Sequence, residues 1–339
     1  MTRPMVLLTH SPEALANYYG AQALAGLQAL ADVRVNRGGG DWTAQTLAAA
    51  AQGCDIIVSD RRAEGSAELL ALLPQLVAFC RCAVDIRNVD VAAASAHGIL
   101  VTQASAGFMN SVSEWIIGVM IDSGRHISNA VLQYRAGAVP AAVMGRELRG
   151  GTLGVIGYGQ IARALADLAL AFGMRVLVSD PHATVAHVAL RQVDLKTLLN
   201  EAHFVVCLAA ATAQTENLLD AAAFAAMQPG AVFINAARGN LVDEAALLHA
   251  LDSGHLGGCA LDVGRAPDQM PSPALARHPK VIATPHIGGL TPPAIEHQAL
   301  ETVRQVALIV QGLVPVGAVN GPHASRLAAR FASPGAASS

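Results

Sequence analysis

The sequence predicts an α/β protein of two domains, each built around a doubly wound parallel sheet. Short apolar segments alternate with longer segments of helical periodicity, which is typical of parallel strands joined by helices. The length of 339 residues suffices for two or three domains. Hydrophobic residues make up 53% and charged residues 14%, so the chain can bury large cores and is not intrinsically disordered.

The part of the chain up to residue 103 has the pattern of a single α/β unit. A helix is predicted over residues 15–30, and each predicted strand is a short apolar segment. The predicted strands are Met5–Leu8, 33–35, Ile56–Ser59, 76–79 and 99–101.

A second α/β unit is predicted after a long helix. Ser111 and Glu114 have the spacing of a capping box, so that helix is expected to begin there. A helix is predicted over 161–172 and a last helix over 293–310. The Ala- and Ser-rich tail, residues 323–339, is predicted to be disordered. The predicted strands are 153–156, Arg175–Ser179, 204–208, 231–235, Gly258–Leu261 and 281–284.

Charge and hydropathy exclude two classes of partner. The net charge is −3, the pI is near 6.4, and no cluster of Lys and Arg forms the basic face that a nucleic-acid partner needs. No apolar run reaches the ~18 residues of a membrane span, and no signal peptide is expected at the start. The sequence therefore indicates a cytoplasmic protein with neither a nucleic acid nor a membrane as partner.

The five cysteines lack a disulfide pattern, which fits reduced thiols in the cytoplasm. Cys80 and Cys82 could form a metal or redox pair. Their one-residue spacing and the lack of a second pair favour two small buried thiols, and no metal site is predicted.

The clearest motif is the glycine-rich turn at residues 157–162, which follows a predicted strand and opens a helix. Gly157 allows a tight turn, Gly159 lets the backbone approach a pyrophosphate, and the small Ala162 permits close packing of helix and strand. The helix N-terminus offers N–H donors to phosphates. The motif indicates a Rossmann-like dinucleotide site, although such a turn can also serve the fold alone.

The residue after the next predicted strand is Asp180, where a carboxylate binds the ribose hydroxyls of NAD. This carboxylate would repel the additional phosphate of NADP, and neither Pro181 nor His182 is an arginine that could accept it. The predicted cofactor is therefore NAD.

Three further polar residues follow predicted strands: Arg238, Asp262 and His286. Residues beyond the carboxyl ends of strands line the ligand crevice of a doubly wound sheet, so these three can converge near the nicotinamide. An Arg guanidinium can bind a carboxylate or polarise a carbonyl, and a His imidazole can donate or accept a proton near neutral pH. A lone His here would more often be structural, but beside Arg238 and the glycine turn it indicates hydride transfer with proton exchange.

With these motifs in this order, the sequence resembles the D-isomer-specific 2-hydroxyacid dehydrogenases, which include phosphoglycerate, glyoxylate and formate dehydrogenases. The resemblance covers residues 76–320. It rests on the glycine turn and on the segments Asn235–Gly239, Leu261–Val263, Thr284–Gly289 and 110–114. Residues before Leu76 match only loosely.

This resemblance implies two Rossmann-like or flavodoxin-like domains with the active site in the interdomain cleft. A discontinuous substrate-binding, catalytic domain would comprise residues 1–103 and 291–322, and a NAD-binding Rossmann domain would comprise residues 104–290. Members of the family are usually homodimers, so a homodimer is expected.

The resemblance also implies roles in a reaction that moves a hydride between NAD and a small 2-hydroxy or 2-oxo acid. Arg238 would bind and polarise the 2-oxo acid, and His286 would be the general acid in reduction and the base in oxidation. Asp262 would hold the nicotinamide amide. The loop of Ala83, Val84 and Asp85 would offer backbone N–H groups to the substrate carboxylate. The predicted cofactor contacts are Gly157, Gly159, Gln160, Ile161, Asp180, Ala237 and Asp262.

Two positions depart from the family pattern. The family's Glu, which hydrogen-bonds the catalytic His, is replaced by Pro267, and Asp268 is one residue further along and could take its place. If Asp268 does not take the place of the family's Glu, reduction of the 2-oxo acid is expected to be faster at mildly acid pH. Asp85 stands where the family usually has Gly. Its side chain either points away from the substrate or recognises a cationic or hydroxyl-rich group of an unusual substrate.

The altered acid at residues 267–268 leaves two alternatives to a typical dehydrogenase. One is an NAD-binding regulatory module, and the other is a reductase of an unusual substrate. The presence of both Arg238 and His286 favours the enzyme.

Overall fold

A computed structural model describes residues 3–39 and 42–331, apart from the side chain of Asp268. Strands and helices alternate along the chain. The strands are β1 (Met5–Leu8), β2 (Asp32–Val35), β3 (Ile56–Ser59), β4 (Ala78–Arg81), β5 (Leu100–Gln103), β6 (Thr152–Ile156), β7 (Arg175–Ser179), β8 (Leu190–Gln192), β9 (Phe204–Cys207), β10 (Val232–Asn235), β11 (Gly258–Leu261) and β12 (Val281–Ala283). The helices are α1 (Pro12–Tyr18), α2 (Ala21–Leu30), α3 (Ala44–Ala50), α4 (Ala67–Ala71), α5 (Val91–Ala96), α6 (Met109–Arg125), α7 (Ile127–Arg135), α8 (Gln160–Ala171), α9 (Leu195–Glu201), α10 (Ala221–Ala226), α11 (Glu244–Asp252), α12 (Pro273–Ala276), α13 (Pro292–Ile309) and α14 (Ser325–Phe331).

Internal contacts divide these elements into two units. The first unit contains the residues up to Gly107 and those from Thr291 onward, and the second unit runs from Phe108 to Leu290. Within the described residues, each unit holds one sheet, and neighbouring strands of both sheets pair in parallel. The predicted α/β class with two parallel sheets is therefore confirmed.

The sheet of the first unit has the strand order β2-β1-β3-β4-β5, which reverses between β1 and β3. A buried apolar cluster covers each of its faces. One cluster includes Val6, Leu8 and Val58, and the other includes Leu7, Ile57 and Phe79. Neighbouring residues of each strand thus enter opposite cores, because side chains alternate across a strand.

The sheet of the second unit has the order β12-β11-β10-β9-β6-β7-β8, which reverses between β6 and β9. Strands β6, β9, β10 and β11 are buried along their whole length, as expected for parallel strands covered on both faces. The glycine-rich turn follows β6 directly. It therefore lies at the strand-order reversal, the usual ligand position in such sheets.

Side-chain caps explain where several helices begin. Helices α1, α3, α4, α5, α9, α10 and α11 each follow a Ser, Thr or Asp whose side chain accepts a backbone N–H of the first turn. The capping box predicted at Ser111 and Glu114 was wrong. Helix α6 begins earlier, at Met109, and Ser113 Oγ donates to the carbonyl of Asn110. Ser111 therefore lies inside the helix, because the turn that starts the helix comes before the segment from Ser111 to Glu114.

The single helix predicted over 15–30 is two helices in the structure. Gly20 separates α1 from α2 with φ of +86°, a left-handed conformation that favours glycine and stops the first helix. The strand predicted over 76–79 lies two residues later in the chain, at β4. The edge strand β8 was missed because two of its three residues, Arg191 and Gln192, are polar and exposed.

The disordered tail predicted from residue 323 was wrong over the part that the structure describes. Residues 325–331 form α14, with Leu327 and Phe331 buried in a core cluster of the first unit. The apolar residues of this segment are spaced for one helix face, and that face is covered. Residues 332–339 lie outside the described residues.

None of the helices in the described part of the chain combines the length and apolar character that a membrane crossing requires.

Candidate active site

The glycine turn between β6 and α8 is shaped by two glycines with different roles. Gly157 has φ of +92°, and a Cβ there would lie 2.7 Å from the carbonyl oxygen of Leu208. A Cβ at Gly159 would meet no atom within 4 Å. Gly157 therefore lets the turn pass close to β9, whereas Gly159 borders open space on the side where a pyrophosphate would approach.

The N-terminus of α8 supplies the donors for such a group. No side-chain hydrogen bond caps this helix among the described residues, so the first-turn N–H groups of Gln160 and Ile161 can take an anion. Ala162 is buried beneath the turn, as its predicted packing role requires. The Arg163 guanidinium lies 4.3 Å from the ring centre of Tyr158 and adds a cation beside the turn.

Asp180, directly after β7, points its carboxylate at the glycine turn. Its Oδ2 accepts the N–H of Tyr158 at 2.7 Å, and its Oδ1 accepts those of His182 and Ala183 at 2.8 and 3.1 Å. Burial alone raises the pKa of the Asp180 carboxyl, but these backbone donors outweigh it and hold that pKa below its usual value. A negative charge is thus fixed beside the turn, where the ribose of NAD is expected.

Arg238 follows β10, and the buried Asn235 sets its backbone. Asn235 Nδ2 donates to the Arg238 carbonyl at 2.9 Å, and Asn235 Oδ1 accepts the N–H of Ala237 at 3.0 Å. The half-buried Arg238 side chain donates from Nη1 to the Ala237 carbonyl at 2.6 Å. Asn235 is a positioning residue that sequence reasoning did not single out, although it stands in the same motif.

Close packing joins the loops that follow β10 and β11. A Cβ at Gly239 would lie 2.1 Å from the carbonyl carbon of Gly264, so only glycine fits this contact. Arg265 reinforces the junction by donating from Nη2 to Glu216, Asn217 and the carbonyl of Asn240, at 2.8, 2.6 and 3.1 Å. Sequence reasoning did not single out Arg265. Its position shortly after β11 is the sequence feature that could have indicated a role at the site.

Asp262 follows β11 and binds the loop that carries His286 through hydrogen bonds. Its Oδ1 accepts the hydroxyl of Thr284 at 2.6 Å and the N–H of Ile287 at 2.8 Å, and its Oδ2 accepts the N–H of Gly288 at 2.7 Å. The side chain is buried, and a Cβ at Gly288 would lie 2.8 Å from Asp262 Oδ2. The carboxylate therefore holds both sides of His286 in place.

His286 itself has a left-handed backbone with φ of +56°, which is uncommon for a residue with a Cβ. Its N–H donates to the Thr284 carbonyl at 2.9 Å, which closes a tight turn. Such a conformation costs on the order of 1 kcal/mol and persists only where its surroundings impose it. Asp262 supplies that constraint, so the half-buried imidazole projects from a fixed loop.

The position of the family's Glu is occupied by Pro267, which begins a short 3-10 helix over Pro267–Gln269. Proline supplies no acid for His286. The Asp268 side chain lies outside the described residues, so its predicted part in catalysis stays a prediction.

The loop predicted to bind the substrate carboxylate lies in the first unit, after β4. The Asp85 carboxylate accepts the Arg87 backbone N–H at 3.0 Å and the Arg87 side chain at 2.5–3.0 Å. Hydrogen bonding to Asp85 raises the pKa of Arg87. The Ala83 carbonyl accepts the N–H of Ala104, while Val84 is half-buried. This geometry favours the interpretation in which the Asp85 carboxylate turns away from a substrate.

The five cysteines are buried and free of disulfides. Burial raises the pKa of both the Cys80 and Cys82 thiols to about 12, which favours the protonated thiols at neutral pH and fits the interpretation of small buried side chains. Among the described residues, no group of three or more His, Cys, Asp or Glu side chains is placed to hold a metal ion.

Taken together, the carboxyl edge of the second unit fits a dinucleotide and a proton-coupled reaction. Gly159 borders open space, Asp180 places a carboxylate beside the glycine turn, and Arg238 and His286 follow strands of the same sheet. This set combines an anion-binding turn, a cationic fork and a proton-exchanging group.

Comparison with known proteins places these features in a family. The model of the "D-isomer specific 2-hydroxyacid dehydrogenase, NAD binding domain" family matches residues 117–288, about half of the chain. That range includes the glycine turn, Asp180, Arg238, Asp262 and His286.

Individual relatives agree with this match. The chain is 34% identical to the D-3-phosphoglycerate dehydrogenase of Mycobacterium leprae over 81% of its own length and 52% of that protein. It is 37% identical to the (S)-sulfolactate dehydrogenase of Chromohalobacter salexigens, over 77% of its own length and 86% of that protein. The chain thus spans about half the length of the phosphoglycerate dehydrogenases that it matches.

Solved structures show the same fold. The D-lactate dehydrogenase of Escherichia coli superposes with a TM-score of 0.81 at 25% identity, covering 93% of this chain and 99% of that one.

Proposed function

Because this chain belongs to the D-isomer-specific 2-hydroxyacid dehydrogenase family, we propose that it transfers a hydride between NAD and a 2-hydroxy or 2-oxo acid. The observation that carries the proposal is the loop around His286, which Asp262 fixes at the carboxyl edge of an NAD-binding domain. A fixed imidazole at this edge is suited to exchanging a proton with a substrate hydroxyl.

In this proposal, each residue has a defined task. Arg238 binds the 2-oxo acid through its guanidinium and polarises the carbonyl. His286 donates the proton to the carbonyl oxygen in reduction and accepts it in oxidation. NADH, when bound, supplies the hydride. Gly157, Gly159, Gln160, Ile161, Asp180, Ala237 and Asp262 hold the cofactor, and Ala83, Val84 and Asp85 present backbone N–H groups to the substrate carboxylate.

The domain roles follow from the same reasoning. Residues 1–103 and 291–322 serve as the substrate-binding domain, and residues 104–290 serve as the NAD-binding domain. We also propose a cytoplasmic location, since five buried free thiols suit a reducing compartment.

A homodimer is proposed because the second unit exposes an apolar segment. Helix α7 has no buried residue, and the segment from Ile127 to Met144 exposes large apolar side chains. Those more than 60% exposed are Leu132, Tyr134, Val139, Val143 and Met144. Several large apolar side chains exposed along one segment suit an interface, and a second copy of the chain is the partner that the family suggests.

The proposed activity is tested by following NADH oxidation with glyoxylate, hydroxypyruvate and pyruvate at pH 5.5 and 7.5. We expect turnover, and we expect His286→Ala to lower kcat at least a hundredfold because the proton donor is lost. His278→Ala is the matched control. This histidine is paired with Asp252 at 3.3 Å, so kcat should be retained.

The same assay separates the alternatives. Faster reduction at pH 5.5 would indicate that Asp268 does not replace the family's Glu. NADH binding without turnover of any of the three acids would contradict the proposal and favour a regulatory module or an unusual substrate.

A further inference from the structure

The second unit contains a cavity that three arginines line. Its volume is about 240 Å³. The lining side chains come from the end of α6, from the segment just before β6 and from the residue after α8. They include Arg125, Arg146, Arg149, Ile121, Leu148 and Phe172. We name this place the arginine cavity, and all of its lining residues belong to the second unit.

The arginine cavity lies at the end of the sheet opposite to the glycine turn. The cavity-lining segment comes just before Thr152, the first residue of β6, whereas the glycine turn follows the last residue of that strand. Helix α8 begins at the turn and ends beside Phe172. At 1.5 Å per residue, its 12 residues separate the two places by about 18 Å. The arginine cavity is therefore distinct from the cofactor position.

Two of the arginine side chains lie against glycines. A Cβ at Gly145 would lie 2.9 Å from Cδ and 3.0 Å from Nε of Arg125. A Cβ at Gly173 would lie 3.1 Å from Nη1 of Arg149. Both arginines thus pass close to backbone that carries no side chain, and the fold sets where their guanidiniums lie.

The third arginine, Arg146, is brought to the end of α6 by its backbone, since its N–H donates to the Gly124 carbonyl at 2.7 Å. Its charge acts on the neighbouring His203. Burial, and then the positive charges of Arg146 and Arg175, lower the pKa of His203. Arg175 is occupied, because its Nη2 donates to Thr152 Oγ1 at 2.7 Å. Positive potential therefore extends along this end of the sheet.

The arginine cavity has more positive than negative charge. In the part of the chain that the structure describes, the guanidiniums of Arg125, Arg146 and Arg149 form no ion pair and no hydrogen bond. Glu147 is the acid that lines the cavity, so three guanidiniums against one carboxylate leave an excess of two positive charges. Asp122, one turn before Arg125, instead accepts the backbone N–H and the hydroxyl of a serine in α7.

The helix ends reduce this excess but do not remove it. Helices α6 and α8 both end at the cavity, and each helix C-terminus carries a partial negative charge of roughly 0.5. About one positive charge remains beyond these contributions. The surface involved is the size of a small molecule and does not form the extended basic face that a nucleic acid needs.

A phosphate monoester suits this lining. Guanidinium groups bind phosphate oxygens through charged hydrogen bonds, and a phosphoryl group has enough oxygens to bind several of them. The apolar side chains of Ile121, Leu148 and Phe172 form another part of the wall. Phe172 is 40% exposed, so an apolar group can lie against its ring. The volume is below the roughly 300–1,000 Å³ of pockets for drug-sized ligands, which indicates a small molecule.

We propose that the arginine cavity binds a small phosphate monoester with an apolar body, at a site separate from the cofactor. The phosphoryl group binds the guanidiniums of Arg125, Arg146 and Arg149, and the apolar body lies against Phe172. This site is additional to the proposed dehydrogenase activity and does not depend on it.

Isothermal titration calorimetry of the full chain with phenyl phosphate tests the site. NADH is kept at a saturating concentration, so that the glycine turn is occupied and cannot bind the ester. We expect one molecule of phenyl phosphate to bind per chain. Inorganic phosphate should bind roughly tenfold more weakly because it has no apolar body, and phenol should not bind because it has no phosphoryl group.

The double variant Arg146→Gln with Arg149→Gln assigns the binding to the arginine cavity. The Kd of phenyl phosphate should rise about tenfold or more because two charged hydrogen bonds are lost. Both side chains are exposed, so Tm and the Kd of NADH should not change. Arg191→Gln is the matched control. Arg191 is an exposed arginine of the same unit that is paired with Glu201 at 3.0 Å, so its loss should leave the Kd of phenyl phosphate unchanged.

Three results would overturn the site. The first is no binding of phenyl phosphate at millimolar concentration. The second is an equal Kd for the wild type and the double variant, since the ester would then bind elsewhere. The third is a double variant of lower mass in solution together with a wild type that does not bind the ester, which would assign the arginines to contact with a second copy. None of these results depends on turnover, so each leaves the proposed function standing.

Discussion

Single residues with fixed geometry dominate the candidate site, and Asp262 is the clearest example. Its buried carboxylate accepts three hydrogen bonds from the loop of residues 284–288. The predicted role of Asp262 was to hold the nicotinamide amide, and Oδ2 retains acceptor capacity for that contact. The structure adds a second task, because the same carboxylate holds the left-handed backbone of His286 in place.

Asp262→Asn should lower kcat at least tenfold. An amide can keep one acceptor for the loop, but its NH2 group would face an N–H donor, so the loop would lose part of its hold on His286. Steady-state kinetics should show the loss mainly in kcat, with the Kd of NADH changed less. Asp194→Asn is the control, since Asn caps α9 as well as Asp does. An unchanged kcat with weakened NADH binding would assign Asp262 to the cofactor alone.

At the scale of elements, we propose that the segment formed by β6, the glycine turn, α8 and β7 determines the choice between NAD and NADP. The Asp180 carboxylate joins β7 to the turn through the N–H of Tyr158. Because its pKa is lowered by backbone donors, the carboxylate stays ionised as the pH falls below the usual range for Asp. The charge that we propose to repel the extra phosphate of NADP is therefore present throughout mildly acid and neutral pH.

We predict a preference for NADH over NADPH that is the same at pH 5.5 and 7.5. Asp180→Ala should raise the ratio of kcat/KM for NADPH to that for NADH about tenfold or more, because the repulsive charge is removed. Asp167→Ala, on an exposed position of α8, should leave the ratio unchanged. A wild-type preference that disappears at pH 5.5 would show that Asp180 titrates in that range and contradict the assignment.

At the scale of the whole molecule, the exposed apolar segment from Ile127 to Met144 requires an explanation. The chain is 53% hydrophobic, and its two sheets are covered by apolar cores on both faces. Large apolar side chains on α7 and beyond are not used in either core. A surface of this kind is stabilised when another copy of the chain covers it.

The chain should therefore sediment at twice its mass of 34.8 kDa. The double variant Leu132→Asp with Met144→Asp should shift it toward the monomer, because charges would be buried in the interface. Val188→Asp is the control, since Val188 is fully exposed but lies outside this segment. Analytical ultracentrifugation measures the mass of the protein in solution. A wild-type monomer at micromolar concentration would contradict the homodimer.

The sequence alone determined the features that depend on local pattern. The alternation of apolar segments predicted parallel sheets, and the spacing from Gly157 to Asp180 predicted a turn and a carboxylate that the structure brings into hydrogen-bond contact. These predictions succeeded because each depends on neighbouring residues or on one strand–turn–helix unit. Arg238, Asp262 and His286 were predicted as site residues for a similar reason, since each lies within three residues of the end of a strand.

Only the tertiary structure decided which distant residues meet. Asp262 and Gly288 are 26 positions apart, and their hydrogen bond depends on β11 and β12 being neighbours in the sheet. The hydrogen bonds between Thr9 and Asp60 likewise depend on β1 and β3 lying side by side. Periodicity shows where a strand ends but does not give its order in the sheet. The burial of Leu327 and Phe331 could not be predicted from the sequence either, because the core that covers them is formed by other elements.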